Sequence, residues 1–355
     1  MKPLTLTSLS DLAALGTDTI IDVRTPAEFT QDHLPGAINL PVLSNAERAE
    51  VGTIYVQDAP FKARKIGAAL VARNAARHLD GPLADMAGDW QPLVYCWRGG
   101  QRSGSFATIL DQVGWRVSLL QGGYQSYRRL VVGALYDTPL KHRLVLIAGG
   151  TGTAKTDLLR QLAGIGAQML DLEGLANHRG SLFGALTQGQ PSQKMFETRI
   201  AAALANLDPA QITFVEAESS KIGERLVPPT LWAAMQAAPR IQISAPATAR
   251  AAYLCHAYGD LTRDTQTLMA HINQLRPYHP KDRIAKWHDL VARADWQALA
   301  YELITEHYDP RYTKSAADGA HPLRSYALPD LSEATLVSTA EHIAQHHCDM
   351  PAPAR

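Results

Sequence analysis

The sequence contains few cysteines, no excess of either charge and no long apolar run. Its 355 residues include three cysteines, Cys96, Cys255 and Cys348, which are far apart and odd in number. We therefore expect no disulfide framework and a reducing compartment. Lysine plus arginine and aspartate plus glutamate both total 34, so no global field indicates a nucleic-acid partner, although a local basic face is compatible with this balance.

The N-terminus also lacks the apolar core of a signal peptide, and no run is long enough to span a bilayer. We therefore expect a cytoplasmic protein that has no membrane partner. Hydrophobic residues make up 46% of the chain and charged residues 19%, which is typical of a folded protein. A chain of 355 residues is too long for one ordinary core, so two domains are expected.

The segment 95–103 combines a cysteine with two glycines and two arginines, after the apolar run 92–95 and before a helical pattern. A loop between a strand and a helix turns backbone N–H groups inward, and the helix dipole adds positive charge. Both features stabilise a thiolate, which favours a nucleophilic Cys96 over a buried structural thiol. The candidate site residues of this loop are Cys96, Arg98, Gly99, Gly100 and Arg102.

Strands alternate with helices up to residue 136, which predicts a parallel sheet with helices on its faces. At the end of one such strand, Asp22 and Arg24 are expected to form a buried ion pair. A helix at 125–136 and a hinge at 137–139 follow. The predicted domains are therefore 1–136 and 137–355.

The first domain resembles the rhodanese family of sulfur transferases over residues 5 to 130. The segments that carry the resemblance are 21–24, 28–29, 33–39, 95–103 and 120–124. The resemblance implies that the loop cysteine carries a transferable sulfur as a persulfide. Cys96 and Arg102 also have the Cys-x5-Arg spacing of cysteine phosphatases, so the loop is also suited to a tetrahedral oxyanion.

The apolar strand 143–148 is followed by the segment 149–156 and a helix from Asp157, which nearly matches the phosphate-binding pattern Gly-x4-Gly-Lys-Ser/Thr. Backbone N–H groups and Lys155 are expected to bind a diphosphate, and Thr156 to help hold a magnesium ion. Ala154 replaces the last glycine, and its methyl group restricts the backbone, which makes a nucleoside triphosphate a less certain ligand. The candidate residues are Gly149, Gly150, Gly152, Thr153, Lys155 and Thr156.

A strand at 211–219 ends in two carboxylates, Glu216 and Glu218. Carboxylates at this place in a nucleotide-binding fold hold magnesium or activate water, while the alternative is a solvated pair. The polar, glycine-rich segment 171–184 is long for a structureless connection, and such loops are often functional. Its candidate substrate-binding residues are Asn177, His178 and Arg179.

The last third, from about residue 245, is predicted to be helical. Its basic aromatic segment 276–288 has two interpretations: phosphate contacts with Trp287 stacked on an RNA base, or an amphipathic helix with one buried face. The amphipathic helix is the commoner case. Cys348, near the end of a closing helix, is expected to be incidental.

Taken together, the two halves resemble the tRNA 2-selenouridine synthases over nearly the whole chain. The segments that carry this resemblance are 41–53, 95–103, 174–181, 218–223 and 307–310. It implies replacement of the sulfur of 2-thiouridine, at the wobble position of tRNA, by selenium from selenophosphate. The implied intermediate is S-geranyl-2-thiouridine, made from geranyl diphosphate. Both compounds are co-substrates, no tightly bound cofactor is expected, and the selenophosphate-producing enzyme is a candidate partner.

We therefore expect a rhodanese-like parallel-sheet domain followed by a P-loop NTPase-like α/β domain with a helical C-terminal part. The second domain would bind the diphosphate, and Cys96 would either carry selenium as a selenopersulfide or position its donor. Two alternatives use less of the chain. One is a cysteine phosphatase or oxyanion reductase on the Cys96 loop, and the other is a nucleotide-driven regulator with a non-catalytic rhodanese module.

Overall fold

The computed structural model describes residues 1–316 and 322–347, and the chain forms two compact units. Unit 1 consists of Met1–Pro139 and Pro191–Asn206, and unit 2 of Leu140–Gln190 and Leu207–Arg355. The sequence predicted a single domain boundary, at 136/137. In the structure the chain enters unit 2 at Leu140, returns to unit 1 for Pro191–Asn206, and then continues in unit 2. Cys348 lies outside the described residues.

Unit 1 is organised around a parallel sheet whose order, within residues 1–139, is β1-β5-β4-β2-β3. The central strand β4 is fully buried, because helices cover both faces of a parallel sheet. In the register, Ile21 of β2 lies between Val94 of β4 and Ile38 of β3. The strands are β1 (Lys2–Leu4), β2 (Thr19–Asp22), β3 (Ala37–Asn39), β4 (Pro92–Tyr95) and β5 (Ser118–Leu120).

Reciprocal caps define where two helices of unit 1 begin. Thr25 accepts a hydrogen bond from the backbone of Glu28, whose carboxylate accepts one from the backbone of Thr25, and Pro26 occupies the first turn. Ser44 and Glu47 form the same arrangement. The helices are α1 (Pro26–Gln31), α2 (Asn45–Gln57), α3 (Pro60–Asp80), α4 (Gln101–Val113) and α5 (Gly123–Val132).

Unit 2 has a second parallel sheet, whose order in the described residues is β12-β11-β6-β8-β7. Strand β6 lies at its centre, between β8 and β11, so the segment after β6 emerges at the carboxyl edge of the sheet. The strands of the sheet are β6 (Arg143–Gly149), β7 (Gln168–Leu170), β8 (Ile212–Glu216), β11 (Arg240–Ser244) and β12 (Arg324–Ala327). A separate antiparallel ribbon is formed by β9 (Lys221–Ile222) and β10 (Arg225–Leu226).

The remaining helices belong to unit 2, except α8, which packs in unit 1. They are α6 (Lys155–Gly164), α7 (Leu172–Ala176), α8 (Gln193–Ala205), α9 (Pro229–Ala237), α10 (Ala247–Ala257), α11 (Thr265–Gln274), α12 (Lys281–Ala292), α13 (Trp296–Leu303), α14 (Asp309–Ala316) and α15 (Glu333–His347). No helix within 1–316 or 322–347 is both long and apolar enough to cross a membrane.

For the last third, the structure corrects one expectation and decides between two interpretations of the segment 276–288. The segment is not wholly helical, because β12 pairs in parallel with β11 and forms an edge of the sheet. Trp287 of α12 is fully buried in a helical core with Ile284 and Val291, so it is not available to stack on a base. Two basic residues of this helix form ion pairs, Arg283 with Glu306 and Lys286 with Glu302. The amphipathic-helix interpretation of this segment is therefore confirmed.

Candidate functional sites

The Cys96 loop of unit 1 connects β4 to α4 at the carboxyl edge of the sheet. Gly99 has φ +68°, a left-handed conformation that favours glycine. A β-carbon at this position would also lie 2.7 Å from the carbonyl oxygen of Leu120. Gly100 has open space around it and is exposed. The two glycines therefore differ: Gly99 gives the loop its shape, and Gly100 keeps its surface accessible.

The Sγ atom of Cys96 accepts two hydrogen bonds within this loop. The backbone N–H of Gly100 donates one at 3.3 Å, and the hydroxyl of buried Ser103 donates the other at 3.1 Å. Burial raises the pKa of Cys96, but the bonds from Ser103 and Gly100 and the charge of Arg102 together lower this pKa below its ordinary value. The thiolate form is therefore stabilised by its surroundings.

Both predicted arginines of the loop bond to neighbouring side chains. The phosphatase-like spacing had suggested instead that Arg102 would face a bound oxyanion. Arg102 makes a two-point ion pair with Glu28, from Nη1 at 2.8 Å and from Nη2 at 3.3 Å. Arg98 is exposed and donates from Nε to Gln125 at 3.1 Å. Arg102 thus anchors the loop to α1 while its charge still acts on Cys96.

The expected ion pair of Asp22 and Arg24 lies beneath this loop and is confirmed. Both side chains are at most 1% exposed, and Arg24 Nη2 lies 2.6 Å from Asp22 Oδ2. The Arg24 guanidinium also packs on the ring of Tyr124 at 4.0 Å, and the Tyr124 hydroxyl donates to Asp32 at 2.6 Å. Since each charge has a partner, this network gives the loop a rigid base.

The phosphate-loop candidates of unit 2 lie between β6 and α6, as the pattern predicted. Lys155 Nζ donates to the carbonyl of Gly149 at 3.1 Å, and the hydroxyl of buried Thr153 donates to the carbonyl of Gly150 at 2.8 Å. A β-carbon at Gly149 would lie 2.5 Å from Thr153 Oγ1, so the loop closes tightly only with glycine there. Gly152 has φ +81°, which also favours glycine.

Ala154 adopts the conformation that the missing glycine would have taken. Its φ is +56° and ψ +33°, in the left-handed region, and it is 3% exposed. This conformation costs an L-residue roughly 1–2 kcal/mol. The methyl group packs in the core of unit 2 with Leu158 and Phe214, which offsets part of that cost. The phosphate loop therefore holds an alanine in a backbone conformation that favours glycine.

Arg250 of α10 fixes the phosphate loop from outside the motif, a role that the sequence did not reveal. Its Nε and Nη2 donate to the carbonyl of Thr151 at 2.8 and 2.7 Å. The same guanidinium donates to both carboxylate oxygens of Asp309 at 2.9 and 2.7 Å. Asp309 lies in the segment 307–310, one of those that carry the resemblance described above. Its ion pair with Arg250 gives this segment a physical role.

A carboxylate pair, Glu173 and Glu218, lies next to the end of the phosphate loop. The hydroxyl of Thr156 donates to Glu173 Oε2 at 3.1 Å. Burial and the neighbouring charge of Glu218 raise the pKa of Glu173, while Lys155 opposes this shift. Gly180 fits between the two carboxylates, because a β-carbon there would meet both side chains. Glu218 was predicted from the sequence, whereas Glu173 was not.

Glu216, the other predicted carboxylate, has a different environment. Its side chain is fully buried, Oε2 accepts from the backbone N–H of Leu172 at 3.1 Å, and Oε1 has no partner. Burial and the charges of Asp171 and Glu173 raise the pKa of Glu216 well above its ordinary value. The structure therefore brings Glu173, and not Glu216, to Thr156.

One of the predicted residues 177–179, His178, lines a cavity of unit 2 whose walls are both polar and apolar. Asn177 ends α7 with φ +49°, and buried His178 accepts at Nδ1 from the backbone N–H of Gly180 at 3.1 Å. His178 lines a cavity of about 1020 Å³, open to solvent, together with Lys221. Arg179 does not line it: its guanidinium donates to Asp260 at 2.8 Å. Of the three residues, His178 is thus placed to meet a ligand, and Arg179 is held by a carboxylate.

Comparison with known families assigns both units. Residues 5–130 match the family described as a rhodanese-like domain, and residues 142–280 match the family described as the tRNA 2-selenouridine synthase AAA domain. By sequence, the chain is similar to the tRNA 2-selenouridine synthases. The predicted fold class, a rhodanese-like domain with a P-loop-type α/β domain, is therefore confirmed.

Curated members of the tRNA 2-selenouridine synthase family are similar over much of the chain. A protein of that name from Shewanella oneidensis is 37% identical over 222 residues, 62% of this chain and 58% of the relative. One from Shewanella loihica is 36% identical over 242 residues, 67% of this chain and 64% of the relative. The chain thus spans about three fifths of the length of these relatives. A solved rhodanese-related protein from Thermoplasma volcanium, 19% identical, matches with a TM-score of 0.23 over 36% of this chain and 92% of its own.

Proposed function

We propose that this protein is an enzyme that converts 2-thiouridine at the wobble position of tRNA to 2-selenouridine through an S-geranyl intermediate. The observation that carries the proposal is the pairing of a stabilised thiolate loop at Cys96 with a phosphate loop at Lys155 in a tRNA 2-selenouridine synthase AAA domain. The relatives bear the name of this activity. Its substrates are geranyl diphosphate, selenophosphate and tRNA, and the reaction takes place in the cytoplasm.

In the first reaction, the thiocarbonyl sulfur attacks the carbon of geranyl diphosphate that bears the diphosphate. The S–C bond forms as the C–O bond breaks, diphosphate leaves with the electron pair, and N3 of the base loses its proton. Lys155 and the backbone N–H groups of the phosphate loop stabilise the developing charge on the diphosphate. In this proposal Glu218, the partner of Glu173 in the carboxylate pair, accepts the N3 proton.

The residues around Thr156 fit a magnesium ion. A hydroxyl and a carboxylate, those of Thr156 and Glu173, lie together at 3.1 Å, and magnesium prefers oxygen ligands. No cluster of three metal-ligating side chains occurs in residues 1–316 and 322–347, which agrees with an ion that takes most of its ligands from phosphate and water. When bound, magnesium would neutralise part of the charge on the diphosphate.

In the second reaction, selenium from selenophosphate attacks C2 of the base, and geranylthiolate leaves. Water then takes the phosphoryl group as phosphate. This exchange is redox-neutral, because selenium and the departing sulfur are both in the −2 state. A selenopersulfide on Cys96 would instead require an oxidant, so we assign the Cys96 loop to binding and orienting the donor. An enzyme that makes selenophosphate is the expected partner for supply.

Geranyl transfer is tested by the variant Lys155→Ala. The purified protein is incubated with 2-thiouridine tRNA, geranyl diphosphate and selenophosphate, each omitted in turn, and tRNA nucleosides are identified by mass spectrometry. Without the Lys155 charge, geranylation should fall by about a hundredfold or more. Unchanged geranylation by a folded Lys155→Ala protein would refute the assignment of the phosphate loop.

Selenium delivery is tested in the same assay with Cys96→Ala. We expect S-geranyl-2-thiouridine to accumulate, because geranylation does not use the Cys96 loop, while 2-selenouridine disappears. Loss of both products in a folded variant would show that the two reactions are not divided between the two loops. The phosphatase alternative has less support, since both terminal nitrogens of Arg102 already bond to Glu28.

A further inference from the structure

Unit 2 contains an apolar pocket that begins at the phosphate loop. Thr151 of the loop forms one side of its mouth, and α10, α11 and α13 form its walls. The pocket encloses about 560 Å³, including its open mouth. Its apolar lining includes Phe183, Leu254, Leu268, Trp296, Leu299 and Leu303. No aspartate, glutamate, lysine or arginine lines it within the described part of the chain, so it does not suit a polar or charged ligand.

The pocket and the phosphate loop are in direct contact. A β-carbon at Gly152 would lie 3.0 Å from Cγ of Leu254, so the loop backbone packs directly on the pocket wall. Arg250, which lies at this contact, is directed at Thr151 and paired with Asp309. A ligand with its phosphates on the loop therefore meets an apolar space on this side of the loop.

We propose that this pocket binds the hydrocarbon chain of the prenyl diphosphate and sets the chain length that the enzyme accepts. The inference rests on the proposed function, because it places the chain of the same substrate whose diphosphate occupies the phosphate loop. Transfer of the hydrocarbon chain from water to this apolar pocket is favourable. Binding of the chain in the pocket also orients the reactive carbon at the loop.

Helix α13 supplies the residue that tests chain-length selection. Ala300 lines this pocket, whereas Ala298, two positions earlier on the same helix, lines a separate cavity with Lys286 and Glu302. Both alanines are half-buried. An aromatic ring at position 300 would occupy space that the hydrocarbon needs, and a ring at position 298 would not. The same substitution on one helix thus gives a matched pair.

The first experiment compares Ala300→Phe with Ala298→Phe in the geranylation assay. We expect Ala300→Phe to raise KM for geranyl diphosphate about tenfold or more, to retain dimethylallyl diphosphate as a substrate, and to bind inorganic diphosphate as the unmodified protein does. Ala298→Phe should leave all three values unchanged. Equal KM values for geranyl diphosphate in both folded variants would overturn the inference.

The second experiment needs no variant, because Cys255 lines the pocket with a free thiol. Alkylation of Cys255 by a small apolar maleimide is followed by peptide mass spectrometry, with and without geranyl diphosphate. We expect geranyl diphosphate to slow alkylation of Cys255 at least fivefold and inorganic diphosphate to have little effect. Alkylation of Cys96 in the same sample provides the internal reference.

The outcomes distinguish failure of the pocket assignment from failure of the proposed function. If geranyl diphosphate competes with inorganic diphosphate but leaves Cys255 unprotected, the pocket assignment is wrong and the proposed function stands. If the unmodified protein neither binds geranyl diphosphate nor transfers the geranyl group, the proposed function fails and this inference fails with it.

Discussion

At the scale of single residues, the hydrogen bonds at Cys96 explain why this thiol differs from Cys255. Burial opposes ionisation of both thiols. At Cys96, donors from Ser103 and Gly100 outweigh it, whereas burial raises the pKa of Cys255 above its ordinary value. Since the thiolate is the reactive form, Cys96 should be modified at lower pH than Cys255.

Removal of the Ser103 hydroxyl should raise the pKa of Cys96. The hydroxyl donates to Sγ at 3.1 Å and favours the charged form, so Ser103→Ala removes that preference and leaves burial in place. The rate of Cys96 alkylation by iodoacetamide, measured against pH by peptide mass spectrometry, should show a midpoint at higher pH than in the unmodified protein. Cys255 in the same sample is the control. An unshifted Cys96 midpoint would show that Ser103 does not stabilise the thiolate.

Residues within one contiguous motif were the easiest to predict. Cys96, Lys155 and Thr156 each lie in a segment whose spacing carries its own signal. Glu173 was missed because a carboxylate in a loop has no spacing signature, although its loop was predicted to be functional. Arg250 was missed because it meets Thr151 across 99 positions of sequence. Contacts of that range depend on the packing of α10 against the loop, which no local pattern encodes.

At the scale of elements, the contact between α10 and the phosphate loop is held by a residue at the start of α14. Asp309 orients the Arg250 guanidinium, which in turn holds the Thr151 carbonyl. Asp309 is thus a positioning residue for the phosphate loop.

Asp309→Asn should weaken binding of inorganic diphosphate without loss of fold. The pair is partly exposed, so we expect about fivefold lower affinity, with the midpoint of thermal unfolding nearly unchanged. Isothermal titration calorimetry measures the affinity. Glu302→Gln, which removes the half-buried partner of Lys286 on α13, is the matched control and should bind diphosphate normally. If both variants bind diphosphate equally well, Asp309 has no role in positioning the loop.

The elements that sequence analysis located were those with strong periodicity or apolar runs, such as β4, β6 and α3. Strand β12 lacked such a signal, and helix α2 had a signal of another kind that the sequence analysis did not use. Strand β12 is largely exposed and short, so it does not alternate like a strand, and its place depends on pairing with β11. Helix α2 begins with the capping pair Ser44 and Glu47, a signal in the sequence that would have located it.

At the scale of the whole molecule, unit 1 is completed by α8, which comes from the middle of the chain. Glu197 of α8 is buried and forms an ion pair with Arg128, and it accepts a hydrogen bond from Tyr136 at 2.7 Å. The hydroxyl of Ser192, at the start of α8, donates to the carbonyl of Gln31. The rhodanese-like unit therefore depends on residues far beyond the segment that resembles that family.

Glu197→Gln should destabilise unit 1 selectively. The change removes the closer of two carboxylate partners of the partly buried Arg128 and leaves Asp32 at 3.7 Å, which should lower the free energy of unfolding by about 1–3 kcal/mol. Hydrogen exchange followed by mass spectrometry should show faster exchange in α5 and α8, with unit 2 unaffected. Glu224→Gln, at an exposed pair with Lys221, should change exchange nowhere. Slow exchange in α8 of the Glu197→Gln protein would contradict this role.

The return of the chain to unit 1 also determines when that unit can finish folding on the ribosome. The sheet of unit 1 is complete once β5 has been synthesised, but α8 is not available until Asn206 has left the exit tunnel. By then β6, α6 and β7 of unit 2 have already emerged, while β11 and β12 have not. Unit 1 therefore cannot finish folding, and its surface for α8 stays uncovered, while Leu140–Gln190 of unit 2 emerges from the ribosome.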